Sequence, residues 1–172
     1  IMNSFKEIKT KDLNISAFDL KNKWMLVTAS KPDGTVNTMT ANWGGFGYLW
    51  NKEVVFVFIR PQRFTKEFVD ASDSFTLTFF ADEYKKSALA YLGKASGRDE
   101  DKIGKTGLTM AKNEGGIPYF EEAESVLFVK KLYMQPMAAE HFLEKEIIDQ
   151  WFPGGDFHEL YIAEITKVLT KC

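Results

Sequence analysis

Apolar and polar positions along the chain fall into short runs that predict strands more often than helices. Trp24 to Ser30 (WMLVTAS) and Val36 to Thr40 flank Lys31-Pro32-Asp33-Gly34, and a Pro-Asp-Gly turn between two strand-like runs predicts a β-hairpin. Val54 to Ile59 (VVFVFI) is continuously apolar, which predicts a strand buried on both faces and ended by Arg60-Pro61, where proline cannot continue a ladder. Phe64, Phe68 and Val69 recur at helical spacing, so Phe64 to Ala71 is predicted as a short helix opened by Arg63 or Thr65, followed at once by a strand from Ser74 to Phe80. Tyr84 to Leu92 places Ala88, Leu89 and Leu92 on one helical face, with Gly93 as the stop signal. Ser125 to Met134 and Leu160 to Leu169 predict two further strands. Between them Phe142, Leu143, Ile147 and Ile148 suggest a helix within Ala138 to Trp151. Gly97 to Gly107 is charged and glycine-marked, as a surface loop would be. Six or seven strands with two or three short helices fit a closed or split antiparallel β-barrel rather than βαβ units.

Composition changes this picture little. A chain of 172 residues suits one domain, 1–172, large enough to bury a real core, and no repeat or linker divides it. The 15 Phe and 15% aromatic content favour strands and flat-ligand surfaces. A net charge of -2, with Lys and Arg scattered, argues against nucleic acid as a partner. No apolar run reaches the length of a membrane span, and the start lacks the basic-then-apolar order of a signal peptide, so a soluble cytoplasmic protein is expected. Ile1 ahead of Met2 reads as a cloning remnant. Cys172 is the sole cysteine and His141 and His158 are the two histidines, which leaves no disulfide and no Cys- or His-based metal cluster to build. The Asn14-Ile15-Ser16 sequon matters only in a secreted protein.

Familiar catalytic motifs fail on spacing. Gly104-Lys105-Thr106 resembles the tail of a phosphate-binding loop, but the glycine required five residues earlier is Asp99. Gly45-Phe46-Gly47 opens a dinucleotide fingerprint whose third glycine falls on Trp50. No serine has a nucleophile-elbow context. Asp99-Glu100-Asp101 reads as a solvated face, and Trp50 and Trp151 as core residues.

One stretch resists the strand pattern. NTMTANWGGFGYLW, from Asn37 to Trp50, carries small polar residues and adjacent glycines of the kind that let a backbone approach something flat. A flat anionic cofactor needs a planar slot edged with hydrogen-bond donors and a cationic or helix-N-terminal cradle for phosphate. Thr38, Thr40, Asn42 and the amides from Met39 to Gly45 could edge the slot, and Arg60, Arg63 and Thr65 follow just past the next strand. The alternative is that the arginines pair with Glu67 and Asp70 while Thr65 caps the helix.

The order of hairpin, NTMTANWGG, VVFVFIRP, QRFTKEF and SFTLTFF, then KASGRDEDKIGKTGL and HELYIAEITKV, resembles the flavin reductase-like family over about Leu20 to Val168. That family, which includes flavoredoxins, has an FMN-binding split β-barrel. The resemblance implies that Thr38, Met39, Thr40, Ala41 and Trp43 line the isoalloxazine and ribityl portion, that Arg60 and Thr65 hold the phosphate, and that Arg63 assists; Asn37 and Asn42 are counted beside them as cofactor-binding. Ser96, Gly97 and Lys102 would approach from a loop across a homodimer interface, and His158 would lie near nicotinamide or acceptor, the alternative being a structural histidine at the start of the last strand. It further implies hydride delivery from NADH or NADPH to bound FMN, with electrons passed to free flavin, a redox partner protein or another acceptor, so no catalytic acid or base is required of the protein. An FMN electron-transfer protein without NAD(P)H turnover, and a barrel binding some other aromatic ligand, remain as alternatives.

Overall fold

A computed structural model of the protein describes residues 4–172; the Ile1-Met2 start lies outside the described residues. Its strands are β1 (Phe5–Ile8), β2 (Met25–Ser30), β3 (Val36–Ala41), β4 (Gly44–Leu49), β5 (Lys52–Ile59), β6 (Ser74–Phe79), β7 (Met110–Lys112), β8 (Pro118–Phe120), β9 (Ser125–Pro136) and β10 (Glu159–Lys171). Its helices are α1 (Leu20–Lys23), α2 (Phe64–Ala71), α3 (Ala90–Lys94), entered through a π-helical turn at Lys85–Leu89, and α4 (Lys145–Trp151). The main sheet runs β3-β2-β6-β9-β10-β5-β4, with β1 added to β10, and every pairing is antiparallel. The barrel is split: β3 and β4 are the two ends of the sheet, yet they are consecutive in the chain. Asn42-Trp43 therefore carries the backbone across the split, outside either ladder's register.

The two-residue period on β5 and β10 explains which face is core. Val55, Val57 and Ile59 point with Tyr161 and Ala163 into one cluster, together with Phe75, Leu77, Leu127 and Val129. Helix α2 closes one end of it with Phe68 and Val69. Fully burying one such side chain contributes about 1.5–3 kcal/mol. A second cluster, with Leu26, Phe80, Leu89, Leu92 and Phe128, lies beneath α3.

Four departures from the sequence pattern have local causes. First, Gly44 to Leu49 is a strand, and the flat object its glycines approach is Phe56. Gly45 pairs opposite Phe56. A Cβ at Gly44 would stand 2.5 Å from the Phe56 carbonyl oxygen, and one at Gly47 2.9 Å from its ring. Second, Gly93 lies within α3 instead of stopping it, because a Cβ there would meet Thr40 Cβ at 3.3 Å; the glycine lets the helix sit close on β3. Third, Phe142 and Leu143 precede α4 in an irregular segment, and Phe142 packs on Phe152 and Phe157 instead. Fourth, Trp50 and Trp151 are 55% and 43% exposed, so neither is a core residue. The short strands β1, β7 and β8 bring the number of described strands above the expected six or seven.

Candidate functional site

Two cavities open beside the split, and they meet at Arg63. The first, of about 210 Å³, is lined by Met39, Thr40, Ala41, Asn42, Trp43, Phe58, Arg60, Arg63 and His158. The second, of about 180 Å³, is lined by Asn37, Gln62, Arg63, Phe64, Thr65, Lys94, Ala95, Ser96 and Lys102. One is broad and edged by aromatic rings; the other is polar and carries three cations, Arg63, Lys102 and, at the exposed rim, Lys94.

The first cavity is a slot built where the chain crosses the split. Trp43 is held edge-on by Trp151 at 5.0 Å between centroids and leans on His158 at 5.3 Å. His158 is buried among Trp43, Phe58 and Phe152. Burial, then the neighbouring Arg60 charge, pushes its imidazole down to about 4, so it is neutral at pH 7 and offers one donor and one acceptor nitrogen. Arg60 is committed to this wall. Its guanidinium pairs with Asp156 at 2.7 Å, donates to the Trp151 carbonyl at 2.6 Å and covers the Phe152 ring at 5.1 Å. Gln62 donates to the same Asp156 oxygen, and these bonds hold the Asp156 carboxyl below its ordinary value.

The second cavity is a cradle at the start of α2. Asn37 Nδ2 donates to the buried Thr65 Oγ1 at 2.9 Å. Gly97 is packed so tightly against this pair that a Cβ would fall 2.3 Å from Asn37 Oδ1. Arg63 reaches over to donate to the Gly93 carbonyl, and Lys102 Nζ donates to the Leu92 and Ala95 carbonyls. Both cations therefore sit on the carboxyl end of α3, where the helix dipole favours positive charge. Neither forms an ion pair among the described residues.

The expected site residues are divided among these features. Met39 to Trp43, Arg60 and His158 edge the slot, and Asn37, Thr65, Ser96 and Lys102 the cradle, with Arg63 common to both. Thr38 is not brought to either: it is fully buried, bonded to the Thr28 hydroxyl and the Val27 carbonyl. Arg60 and Thr65 line different cavities. Ser96 and Lys102 reach the cradle within the one chain, and Gly97 shapes it from behind. The alternative in which the arginines pair with Glu67 and Asp70 does not occur, since Glu67 takes Lys31 and Arg98 while Asp70 takes Lys66 and the Tyr161 hydroxyl. Phe58, Gln62 and Asp156 went unnoticed in the sequence. Phe58 had a signal, because in VVFVFI the two Phe alternate with β-branched residues and mark the face away from the core.

The chain is 32% identical over 97 residues to the high molecular weight rubredoxin of Moorella thermoacetica; that match spans 56% of the chain and 41% of the relative's length. Its fold is similar to an FMN-binding domain of a flavin reductases-like enzyme from Shewanella baltica OS155, with TM-score 0.70 and 18% identity, covering 99% of this chain and 79% of that one. It is also similar to the flavoredoxin of Desulfovibrio vulgaris (Miyazaki F), with TM-score 0.67 and 23% identity, covering 87% and 69%. The model of the flavin reductase like domain matches residues 19–171, and the chain belongs to that family.

Proposed function

We propose that the protein is an FMN-dependent oxidoreductase that accepts hydride from NADH or NADPH and passes the electrons to free flavin, a redox partner protein or another acceptor. The observation that carries the reading is the junction at Arg63 of an aromatic-edged slot with a cradle holding a second, buried cation. A flavin mononucleotide has this outline, a planar ring joined by a short polar chain to a phosphate. The residues fit the group, because Lys102 is 3% exposed and meets two carbonyls but no carboxylate, which leaves a charge for an anion to complete.

In this reading Met39 to Trp43 and Phe58 hold the ring plane and keep water from it. Asn37, Arg63, Thr65, Ser96 and Lys102 hold the phosphate. His158, neutral and close to Trp43, supplies a hydrogen bond at the ring edge without adding charge. Bound FMN would supply the two-electron centre between nicotinamide and acceptor, which no side chain here can replace.

The homodimer belongs to the same proposal. Tyr133, Ile162, Phe56 and Gly45 form one row across β9, β10, β5 and β4 on the sheet face away from the core. Tyr133 (42% exposed) and Trp50 are near each other there. This apolar face suits a second copy of the chain. We place the protein in the cytoplasm, where its lone exposed thiol at Cys172 would stay reduced; among the described residues no helix is long and apolar enough to cross a membrane.

The test is to titrate purified protein with FMN by absorbance, then mix the complex anaerobically with NADH or NADPH. Bleaching at catalytic rates is expected. Failure to take up FMN overturns the whole reading. Uptake without bleaching supports an electron-transfer role of the flavoredoxin kind, a reading favoured by the likeness to the Desulfovibrio protein.

A further inference from the structure

Beside the slot, on the same face of the sheet, lies a further cavity for which FMN has no use. Trp43, at the head of β4, stands in one row with Phe58 on β5, Leu160 on β10 and Gln135 on β9, because Gly44 pairs with Val57, Phe58 with Leu160 and Leu160 with Gln135. The slot takes the Trp43 and Phe58 half of that row. The Leu160 and Gln135 half floors a cavity of about 320 Å³ walled by Met137, Ala138, His141 and Phe142. It is larger than the slot and has the size of a small-molecule site.

The partition between the two is one side chain thick. Residues directly opposed on neighbouring strands stand about 4.5–5.5 Å apart, so Phe58 in the slot and Leu160 in the cavity occupy adjacent positions. By a second route, the slot residue His158 meets Phe152 at 5.3 Å between ring centroids, and Phe152 meets Phe142 at 5.8 Å. The His158 carbonyl accepts from the Met137 amide at 2.9 Å, which ties the two walls together.

We propose that this cavity binds a small uncharged quinone, which there takes electrons from the flavin in the slot. The inference rests on the FMN reading and names the class of acceptor which that reading leaves open. Three features select the class. First, the lining holds no Lys, Arg, Asp or Glu among the described residues, so a charged ligand would be buried unpaired. Second, the polar side chains that line it have donors to spare. Gln135 Oε1 is taken by the Tyr133 hydroxyl, which leaves the amide Nε2, and the His141 imidazole carries an N–H in either protonation state. A ligand must bring acceptors to meet them, as the carbonyl oxygens of a quinone do. Third, the segment from Ala138 to Trp151 that borders the cavity exposes Glu140, Glu144, Glu146 and Asp149 against Lys145, which disfavours the phosphates of a nicotinamide dinucleotide or a second flavin. The quinone gains two electrons and two protons and becomes the hydroquinone, as reduced FMN returns to its oxidised form.

The probe is 2,3-dimethyl-1,4-naphthoquinone, whose substituted ring does not add the exposed Cys172 thiol. Calorimetric titration should give the apoprotein and the FMN complex the same affinity for it, since cavity and slot are separate. Its 2-hydroxy-3-methyl analogue, the same ring as an anion at pH 7, should bind about tenfold more weakly. Ala138→Trp fills the cavity from a position outside the FMN site, and should abolish quinone binding while leaving FMN affinity unchanged. Gln135→Leu removes one donor and should weaken the quinone about 2- to 12-fold. When the FMN complex is photoreduced without oxygen, reoxidation by the quinone should saturate at its binding constant, and in Ala138→Trp it should become slow and unsaturable.

Competition between quinone and FMN, equal affinity for the anion, or unchanged binding in both variants overturns the proposal. So does a quinone affinity that falls as protein concentration rises, the mark of a second copy occupying the cavity. Binding without flavin reoxidation overturns the acceptor role. Failure of the apoprotein to take up FMN overturns the reading beneath, and quinone titration of that same apoprotein still decides whether the cavity is a site.

Discussion

Exchanging each arginine for methionine in turn distinguishes the phosphate ligand from the arginine that builds the wall. Arg63 lines both cavities and spends one Nη on the Gly93 carbonyl, leaving its other donors toward the cradle. A hydrogen bond from a charged donor is worth about 1.5–3 kcal/mol. Arg63→Met should therefore weaken FMN about 10- to 150-fold at pH 7.5, and riboflavin by less than about threefold. Arg60 is already engaged by Asp156, the Trp151 carbonyl and the Phe152 ring. Arg60→Met should weaken both flavins by a similar factor, because what it loosens is the wall against which Trp43 and His158 rest, and it should lower the melting temperature. The discriminating quantity is the ratio of the two Kd values from quenching of flavin fluorescence, with thermal melts of each variant to exclude unfolding. A tenfold change of that ratio in Arg60→Met, with none in Arg63→Met, would refute the assignment and restore Arg60 as the phosphate ligand that family resemblance implies.

Three further outcomes follow from packing and charge. Gly97→Ala forces a methyl group onto Asn37 and should cost about 1–3 kcal/mol in chemical denaturation, with FMN affinity reduced more than riboflavin affinity because the Asn37–Thr65 bond belongs to the cradle. His158 has its folded value depressed to about 4 from an ordinary 6.5, so the stability it contributes is present above pH 6.5 and lost as pH falls through 4, in all about 3 kcal/mol; urea titrations of His158→Gln should lack that acid slope, and an identical slope would contradict the burial argument. Tyr161→Phe leaves Asp70 without the hydroxyl that now donates to it at 2.6 Å from inside the core. It should destabilise by about 1–2 kcal/mol without altering the FMN to riboflavin ratio.

Where a segment's fate was decided locally, it was legible in the sequence. The hairpin around Pro32-Asp33-Gly34, the strand before Arg60-Pro61 and the helix Phe64–Ala71 depend on turn chemistry and short-range periodicity, and each lies where these put it, within a residue or two at the ends. The cradle was harder, because it is assembled from residues far apart in the chain. Lys102 sits in a charged, glycine-marked loop that reads as solvated, yet the carbonyls at the end of α3 draw its ammonium inward to 3% exposure. Thr38 has the composition of a binding residue but lies on the face of β3 opposite Met39 and the main core cluster, where the Thr28 hydroxyl satisfies it. Thr38 and Thr40 share one face of β3, and what separates them is the neighbour that each meets there: the Thr28 hydroxyl for Thr38, the Leu89 carbonyl and Gly93 for Thr40, neither of which TMTA in isolation reveals.

The glycines of NTMTANWGGFGYLW show how a correct physical inference can attach to the wrong partner. They do permit close approach of something flat, but it is the Phe56 ring that occupies the space. Their bearing on the slot is therefore indirect, and it runs through register. Gly44 pairs with Val57, so the residue before it, Trp43, arrives level with Phe58 on the next strand, and both line the slot. Without the glycines, β4 could not lie close on β5 over Phe56, and the crossing at Asn42-Trp43 would be displaced from His158 and Trp151. Filling the space at Gly47 should thus disturb flavin binding from a position that does not line the slot, and Phe56→Ala, by emptying the same space, should partly restore it.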